Sequence, residues 1–328
     1  MRRPDGIAAP VALPCILGPT GAGKTAAALA LALAFPGPVR ILNADSRQVY
    51  REFPLITAQP SPEEQAAVPH RLYGFLPLSE KLGAGSYSRL ADAAIRESLD
   101  AGALPVLVGG TGLYLKTLFA GIAPIPEVPA DVLDQWRRAC AAEGGPALHR
   151  LLGREDPEYA AKIHPHDRQR IVRALAVLQA TGKPFSLWHK MPPLPSPYRP
   201  VKVGVGLPLS ALEIRIRRRL EAMLEAGALE EARRAFVRFP DPSAPGWTAI
   251  GCRELLAHLN GLLSLEECRE LWFRNTRAYA KRQLTWFRPD REITWFSPDQ
   301  ASALAEHVLE HTDFCGRRFR LDLGFTIP

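Results

Sequence analysis

The run GPTGAGKT at residues 18–25 constrains this chain more than any other stretch of it. It matches GxxxxGK[ST], follows an apolar run at 11–17, and opens an Ala/Leu-rich segment that continues to Phe35 and stops at Pro36-Gly37. Strand, glycine loop and helix in that order make a cradle for phosphate. The glycines let backbone N–H groups converge on phosphate oxygens, and the helix N-terminus adds partial positive charge. Gly18, Pro19, Thr20, Gly21, Ala22, Gly23, Lys24 and Thr25 are therefore expected to bind a polyphosphate. Lys24 would neutralise its terminal phosphate, and the Thr25 hydroxyl would hold Mg²⁺. Pro14 removes a ladder donor, so it is expected near the beginning of its strand.

A phosphate loop names a ligand and not a reaction. NTPases place an acid at the end of an apolar strand to help hold the metal; here the candidate strand at 105–108 runs into Gly109-Gly110 instead. The carboxylate lies elsewhere, because a strand at 39–44 ends in Asp45. That tip belongs beside the loop, where Asp45 could take a proton from an incoming nucleophile. Its alternatives are capping a helix or an outer contact to the metal. Thr111 either fixes the nucleophile or is a turn residue.

Strands alternating with helices predict an α/β fold, a P-loop NTPase-like wound parallel sheet with its sites at the strand carboxyl ends. The composition shifts at the proline-rich segments 123–129 and 191–200, and the pattern between them is helical. The expected organisation is a first part of the core at 1–126, a helical insertion at 127–200, and a second core part at 201–298. That second part holds a strand at 201–206, a long helix at 210–239 and another at 264–287. Residues 299–328 are poorly patterned and read as a tail.

The 328 residues carry 41 Lys+Arg against 34 Asp+Glu, a formal charge of +7, which suggests an anionic partner. The cations cluster in three places: 162–173, the arginines Arg215, Arg217, Arg218 and Arg219, and 274–288. Read as a helix, the last puts Arg274, Arg277, Lys281 and Arg288 on one stripe and Phe273, Ala280, Leu284 and Phe287 opposite, with Trp272, Tyr279 and Trp286 between. Cations edged by aromatic rings suit a phosphate backbone with unstacked bases, as RNA loops present; the alternative is a solvated face over a packed one. His164 and His166 lack a third ligand at useful spacing, so a helix-start role is expected of them. Five scattered cysteines without a CxxC pair give neither a zinc knuckle nor a disulfide framework. No apolar run approaches about 18 residues and no signal segment opens the chain, so a cytoplasmic protein away from membranes is expected.

Taken together, GPTGAGKT, NADSRQVY (43–50), LVGGTGLYLK (107–116), KIHPHDRQRIVRAL (162–175), TGKP (181–184), AIGCRE (249–254) and TRAYAKRQLTWFR (276–288) resemble the tRNA dimethylallyltransferase, or tRNA isopentenyltransferase, family. The resemblance runs from about residue 15 to residue 296. It implies transfer of a dimethylallyl group from dimethylallyl diphosphate to N6 of the adenosine 3′ of the anticodon, in tRNAs reading codons that begin with U. It makes Asp45 the catalytic base and Thr111 the hydroxyl near the target base. Lys24, Mg²⁺ on Thr25, and an arginine from the Arg215/Arg219 pair would neutralise the departing diphosphate. It also implies that the insertion grips the anticodon stem-loop. The implied tRNA contacts are Asp45, Ser46, Arg47, Gln48, Thr111, Gln169, Arg170, Ile171, Val172, Arg173, Trp247, Gly251, Arg253, Lys281, Arg282, Gln283 and Arg288, on a bacterial-type monomer. Three positions depart from the family pattern: Gln59 stands where a lysine is common, His166 where an asparagine is, and Cys252 where an aromatic is. The zinc finger of eukaryotic members is absent, Cys315 having no partner cysteine. A small-molecule kinase and a non-catalytic RNA-binding module share parts of this pattern and remain the alternatives.

Overall fold

Strands buried on both faces show unbroken apolar runs, and this chain's central strands do. The computed structural model describes residues 10–121, 123, 125–192 and 196–312, which leaves Cys315 outside the described residues. In chain order the first elements are β1 (Val11–Leu17), α1 (Lys24–Ala34), β2 (Val39–Asn43), α2 (Pro62–Ala67), β3 (His70–Arg71), α3 (Ala84–Asp100), β4 (Leu104–Gly109) and α4 (Gly112–Ala120). The helices α5 (Ala130–Glu143), α6 (Gly145–Glu155), α7 (Pro157–Ala160), α8 (Arg168–Thr181) and α9 (Phe185–Lys190) follow. The chain then returns with β5 (Tyr198–Val205), α10 (Leu209–Glu225), α11 (Ala228–Arg238), α12 (Cys252–Leu259), α13 (Leu265–Phe287), β6 (Thr294–Phe296) and α14 (Ala301–His311). It divides into two compact units, Ala120–Ser196 and the remainder.

In the larger unit six parallel strands form one sheet in the order β3-β2-β4-β1-β5-β6. Along β1 the side chains alternate: Ile16 joins the apolar layer with α1, α10, α12 and α13, while Leu13, Cys15 and Leu17 join the layer with α3 and α4. Pro14 lies at the middle of β1, opposite Val201, and not near its beginning. The sheet tolerates it because the β1–β4 ladder starts only at Cys15↔Leu107, so Pro14 and Pro105 both fall before that ladder begins.

Two further expectations change. The long helix at 210–239 is two helices, α10 and α11, broken at Ala226-Gly227. The segment read as a tail carries a packed helix: α14 buries Leu304, Ala305, Val308 and Leu309 against α1 and β5. That i, i+1, i+4, i+5 stripe lies in a helix of only 11 residues, too short to stand out in a sequence window.

The smaller unit packs α5 to α9 around Leu148, Leu152, Ile171, Leu175 and Phe185. The buried Asp156 carboxylate accepts from the N–H groups of Tyr159 and Ser186, fastening α7 to α9. His164 and His166 lie in the turn before α8, whose N-cap is Asp167. Ile171 and Val172, implied as RNA contacts, are core residues here (0% and 7% exposed). On α8 they face inward while Gln169 and Arg170 are exposed and Arg173 is half-buried. Among the described residues no helix is long and apolar enough to cross a membrane.

Candidate active site

Three strand exits converge at the carboxyl edge of the sheet: the phosphate loop after β1, Asp45 after β2, and Gly110-Thr111 after β4. Because β4 lies between β1 and β2, its exit loop neighbours both others. The phosphate loop turns with positive φ at Gly21 (80°) and Gly23 (99°), a backbone open to glycine, before α1 starts at Lys24. The Lys24 ammonium lies over the loop, donating to the carbonyls of Gly18 (3.0 Å) and Pro19 (2.9 Å). Burial lowers its pKa to about 8; Asp45 opposes that shift and Arg219 adds to it.

Both arginines of the pair that the sequence leaves unresolved belong to the loop. On α10, Arg219 donates through Nη2 to Thr20 Oγ1 (2.7 Å). Arg215, one turn earlier, places Nη2 3.5 Å from where a Cβ on Gly23 would stand. Arg219 is held below its ordinary pKa by burial, with Asp45 opposing, and its buried Nε has no hydrogen-bond partner. An orphaned cationic donor aimed at a phosphate loop fits an anionic ligand. Arg217 is occupied elsewhere, paired with Glu270 (3.1 Å) and stacked 3.6 Å over the Phe273 ring.

Asp45 starts no helix, which removes the capping alternative. Its N–H donates to Asn43 Oδ1 (2.7 Å), and its Oδ1 accepts the Arg47 N–H (2.9 Å), closing a tight turn. Asn43, fully buried, also donates to the carbonyls of Asp45 and Leu72 (2.9 Å each). The carboxylate is thus aimed by its own backbone while Oδ2 has no protein donor among the described residues. Thr111 fastens the neighbouring exit: its Oγ1 accepts the Ser46 N–H (2.9 Å) and donates to Ser46 Oγ (3.3 Å), and its own N–H donates to Ala44 O (3.1 Å). Tyr279 faces the same cavity as Asp45, and burial raises its pKa.

The phosphate loop, Asp45, Arg215, Arg219 and Tyr279 line one cavity of about 770 Å³, while Thr111 lies outside its lining, bonded to Ser46, the residue after Asp45. Lys24, Thr25, Arg215, Arg218 and Arg219 supply its cationic wall. Met223 lies one turn beyond Arg219 on α10, and with Leu220, Ile56, Ile250 and Trp272 it supplies an apolar one. Gln59, in the place of the family's common lysine, also lines the cavity and donates to Tyr50 O (2.8 Å).

The helix α13 contributes more to this site than its sequence shows. Phe273, Ala280, Leu284 and Phe287 are buried as expected, and Arg274, Lys281, Arg282 and Arg288 are exposed. Arg277 is spent on Glu213 (2.6 Å). Trp272 and Tyr279, expected at the RNA-facing edge, turn inward to line the cavity, so only Trp286 (52% exposed) offers an outward ring. Trp272, Thr276, Tyr279 and Gln283 share one stripe (i, i+4, i+7, i+11). The signal for it was available: Thr and Gln among residues that otherwise pack.

Several implied RNA contacts are internal. Gln283 is buried (3% exposed), with Oε1 accepting the Thr20 N–H (2.8 Å) and Nε2 donating to Gly110 O (3.1 Å). Trp247 is buried against Phe53, ring centroids 4.9 Å apart, and Phe236. Gly251 is buried too; a Cβ there would meet Trp272 and Ile56 at 2.6 and 2.7 Å. Gln48 donates to the carbonyls of Thr57 and Ala58, holding the loop that carries Gln59. Arg47 reaches Thr248 Oγ1 (2.9 Å), and Arg253 stays exposed. Cys252, departing from the family's aromatic, is fully buried, so that difference is one of packing.

No group of three His, Cys, Asp or Glu among the described residues could hold a metal. The Thr25 hydroxyl, with Asp45 across the same cavity, suits a cation that keeps most of its waters and binds substrate phosphates, as Mg²⁺ does.

Residues 48–290 match the model of the IPP transferase family. The chain is 57% identical over 274 residues to the tRNA dimethylallyltransferase of Oleidesulfovibrio alaskensis, covering 84% of this chain and 89% of that one. Among solved structures it resembles the full-length tRNA isopentenylpyrophosphate transferase of Bacillus halodurans (32% identity, TM-score 0.65, 92% of this chain and 97% of that one). It also resembles a eukaryotic dimethylallyltransferase acting on tRNA (28% identity, TM-score 0.73, 87% and 73%).

Proposed function

The chain belongs to the IPP transferase family, and from that premise we propose how it carries out dimethylallyl transfer to tRNA. The donor is dimethylallyl diphosphate, and the acceptor is N6 of the adenosine 3′ of the anticodon in tRNAs reading U-initial codons. One observation carries this reading: a single cavity joins a phosphate loop and its arginines to a carboxylate and to the apolar wall of Ile56, Leu220, Met223, Ile250 and Trp272. A diphosphate head on a short branched hydrocarbon matches those walls.

The N6 lone pair is delocalised into the adenine ring and is a weak nucleophile. A base must therefore remove its proton as the new bond forms. In the proposed step N6 attacks C1 of the donor, the C1–O bond breaks, and Asp45 takes the N6 proton. The electron pair leaves with the diphosphate. Loop N–H groups, Lys24, Arg219 and Arg215 meet the charge that develops on the leaving oxygens, where it counts most. Thr111, which bonds Ser46 next to Asp45, and Tyr279, on the wall of the cavity that holds Asp45, can orient the base. Bound Mg²⁺ would share the neutralisation of the diphosphate, held by Thr25 Oγ1 and the donor's own oxygens. The exposed cations of α13, with Trp286, form the RNA-facing side of this unit, and Gln169 and Arg170 of α8 form that of the smaller one. The protein would act as a cytoplasmic monomer.

The test is to incubate the protein with unmodified tRNA, Mg²⁺ and dimethylallyl diphosphate, then digest the tRNA and weigh its nucleosides. N6-dimethylallyl adenosine next to the anticodon is the expected product. Phosphorylation of a small acceptor from ATP, with no change in tRNA mass, would replace this reading with the kinase alternative.

A further inference from the structure

Gln283 sits in the segment that the family resemblance assigns to RNA, but its side chain never reaches the surface. Its amide is buried between two loops that come from different strands. Oε1 takes the N–H of Thr20, at the crest of the phosphate loop, and Nε2 donates to the carbonyl of Gly110, next to Thr111. Thr20 carries the bridge further, its Oγ1 accepting from Arg219. A Cβ on Gly110 would stand 1.9 Å from Gln283 Nε2, so the glycine at 110 is the clearance this amide needs. Two positions farther, a Cβ on Gly112 would stand 1.8 Å from Trp286 Nε1. The GGTG run is thus shaped to receive α13.

We propose that Gln283 is a positioning residue: its amide sets the spacing between the loop that holds the donor's diphosphate and the loop that presents Thr111 to the acceptor. This rests on the reaction proposed above and assigns the residue to it. Neither loop is otherwise tied to the other by a side chain among the described residues. Thr111 is bonded to Ser46 and Ala44, on the β2 side, so the amide is what crosses from β4's exit to β1's. A carboxamide suits the position because it must accept on one side and donate on the other. Leu, Met or Glu supplies one of those functions or neither. In-line transfer needs C1 and N6 in near-attack contact, and a shift of about 1 Å between the groups that hold them can cost about 100-fold.

The experiment compares wild type with Gln283→Met, which keeps the length and loses both hydrogen bonds, and with Gly110→Ala, which displaces the amide from the other side. Single-turnover transfer, tRNA affinity and inorganic pyrophosphate affinity are measured for each and for the double variant. The expected result for Gln283→Met is a single-turnover rate about 10–100-fold lower, with tRNA affinity changed less than about 2-fold and weaker pyrophosphate binding. Because both substitutions break one bridge, the double variant should be about as slow as the slower single and not the product of the two. Should Gln283→Met fail to fold, Gln283→Asn, which reaches only one loop, must give the same kinetic split. Loss of tRNA affinity at an unchanged single-turnover rate, or fully multiplicative penalties, overturns the proposal. A wild-type protein that binds pyrophosphate yet transfers nothing would sink the proposed reaction instead, leaving the pyrophosphate comparison to decide whether the bridge orders the loop.

Discussion

Lys24 gives the sharpest pH signature in the molecule. Its ammonium is taken out of water beside Arg219, and both effects favour the neutral amine. Asp45 pulls the other way without cancelling them, so its pKa falls from 10.5 to about 8. The sign follows directly: the charged form that grips a diphosphate is present below about pH 8 and is lost as pH rises through it. Above that break the charged fraction of the free enzyme drops about tenfold per pH unit. The kcat/KM for dimethylallyl diphosphate reports the donor-free enzyme, so it should fall with that slope and reach about a tenth of its plateau near pH 9. In the complex the bound diphosphate favours the ammonium, so kcat should break at higher pH than kcat/KM. The assay is initial-rate transfer to an anticodon hairpin at saturating RNA from pH 6.5 to 10, with donor varied. Lys24→Met should be far slower and should lack the break near 8. A wild-type profile that stays flat to pH 10, or a break that survives in Lys24→Met, would refute the assignment of this titration to Lys24.

Asp45→Asn should lower the single-turnover rate by about 10²–10⁴-fold. The amide oxygen can still accept the Arg47 N–H that closes the turn, so tRNA affinity should change little, and parallel loss of both would mark Asp45 as structural. Replacing Lys281 and Arg288, exposed and without ion pairs among the described residues, by Ala should make the log K versus log [salt] slope for an anticodon hairpin about 1–2 units shallower. An unchanged slope removes α13 from the RNA interface. Trp247→Ala should destabilise the protein by about 3–5 kcal/mol, because the indole fills a site against Phe53 and Phe236. Chemical denaturation measures this, and a stable variant that has lost RNA affinity would restore Trp247 to the interface.

The chain's local chemistry was legible before its fold was. GPTGAGKT announces its own turn because glycines at 21 and 23 take positive φ and a helix must begin at Lys24. The apolar runs of β1, β2 and β4 read as buried strands because covered sheets leave no polar face. These features depend on residues adjacent in sequence, and so does the turn that aims Asp45. The cation stripe of α13 was visible too, since helical periodicity sorts its residues without reference to a partner.

What the sequence could not supply is which neighbour each face meets. Lys281, Arg282 and Gln283 are consecutive, and only the packing of α13 against the loops after β1 and β4 turns the first two outward and the third inward. The same holds for Trp272 and Trp286, alike in type and opposite in exposure, and for α14, whose short apolar stripe has meaning only beside α1. Backbone hydrogen bonds and turn geometry are settled within a few residues. Burial is settled by surfaces that come from distant parts of the chain, and so the cavity, its apolar wall and the amide bridge across it belong to the tertiary structure alone.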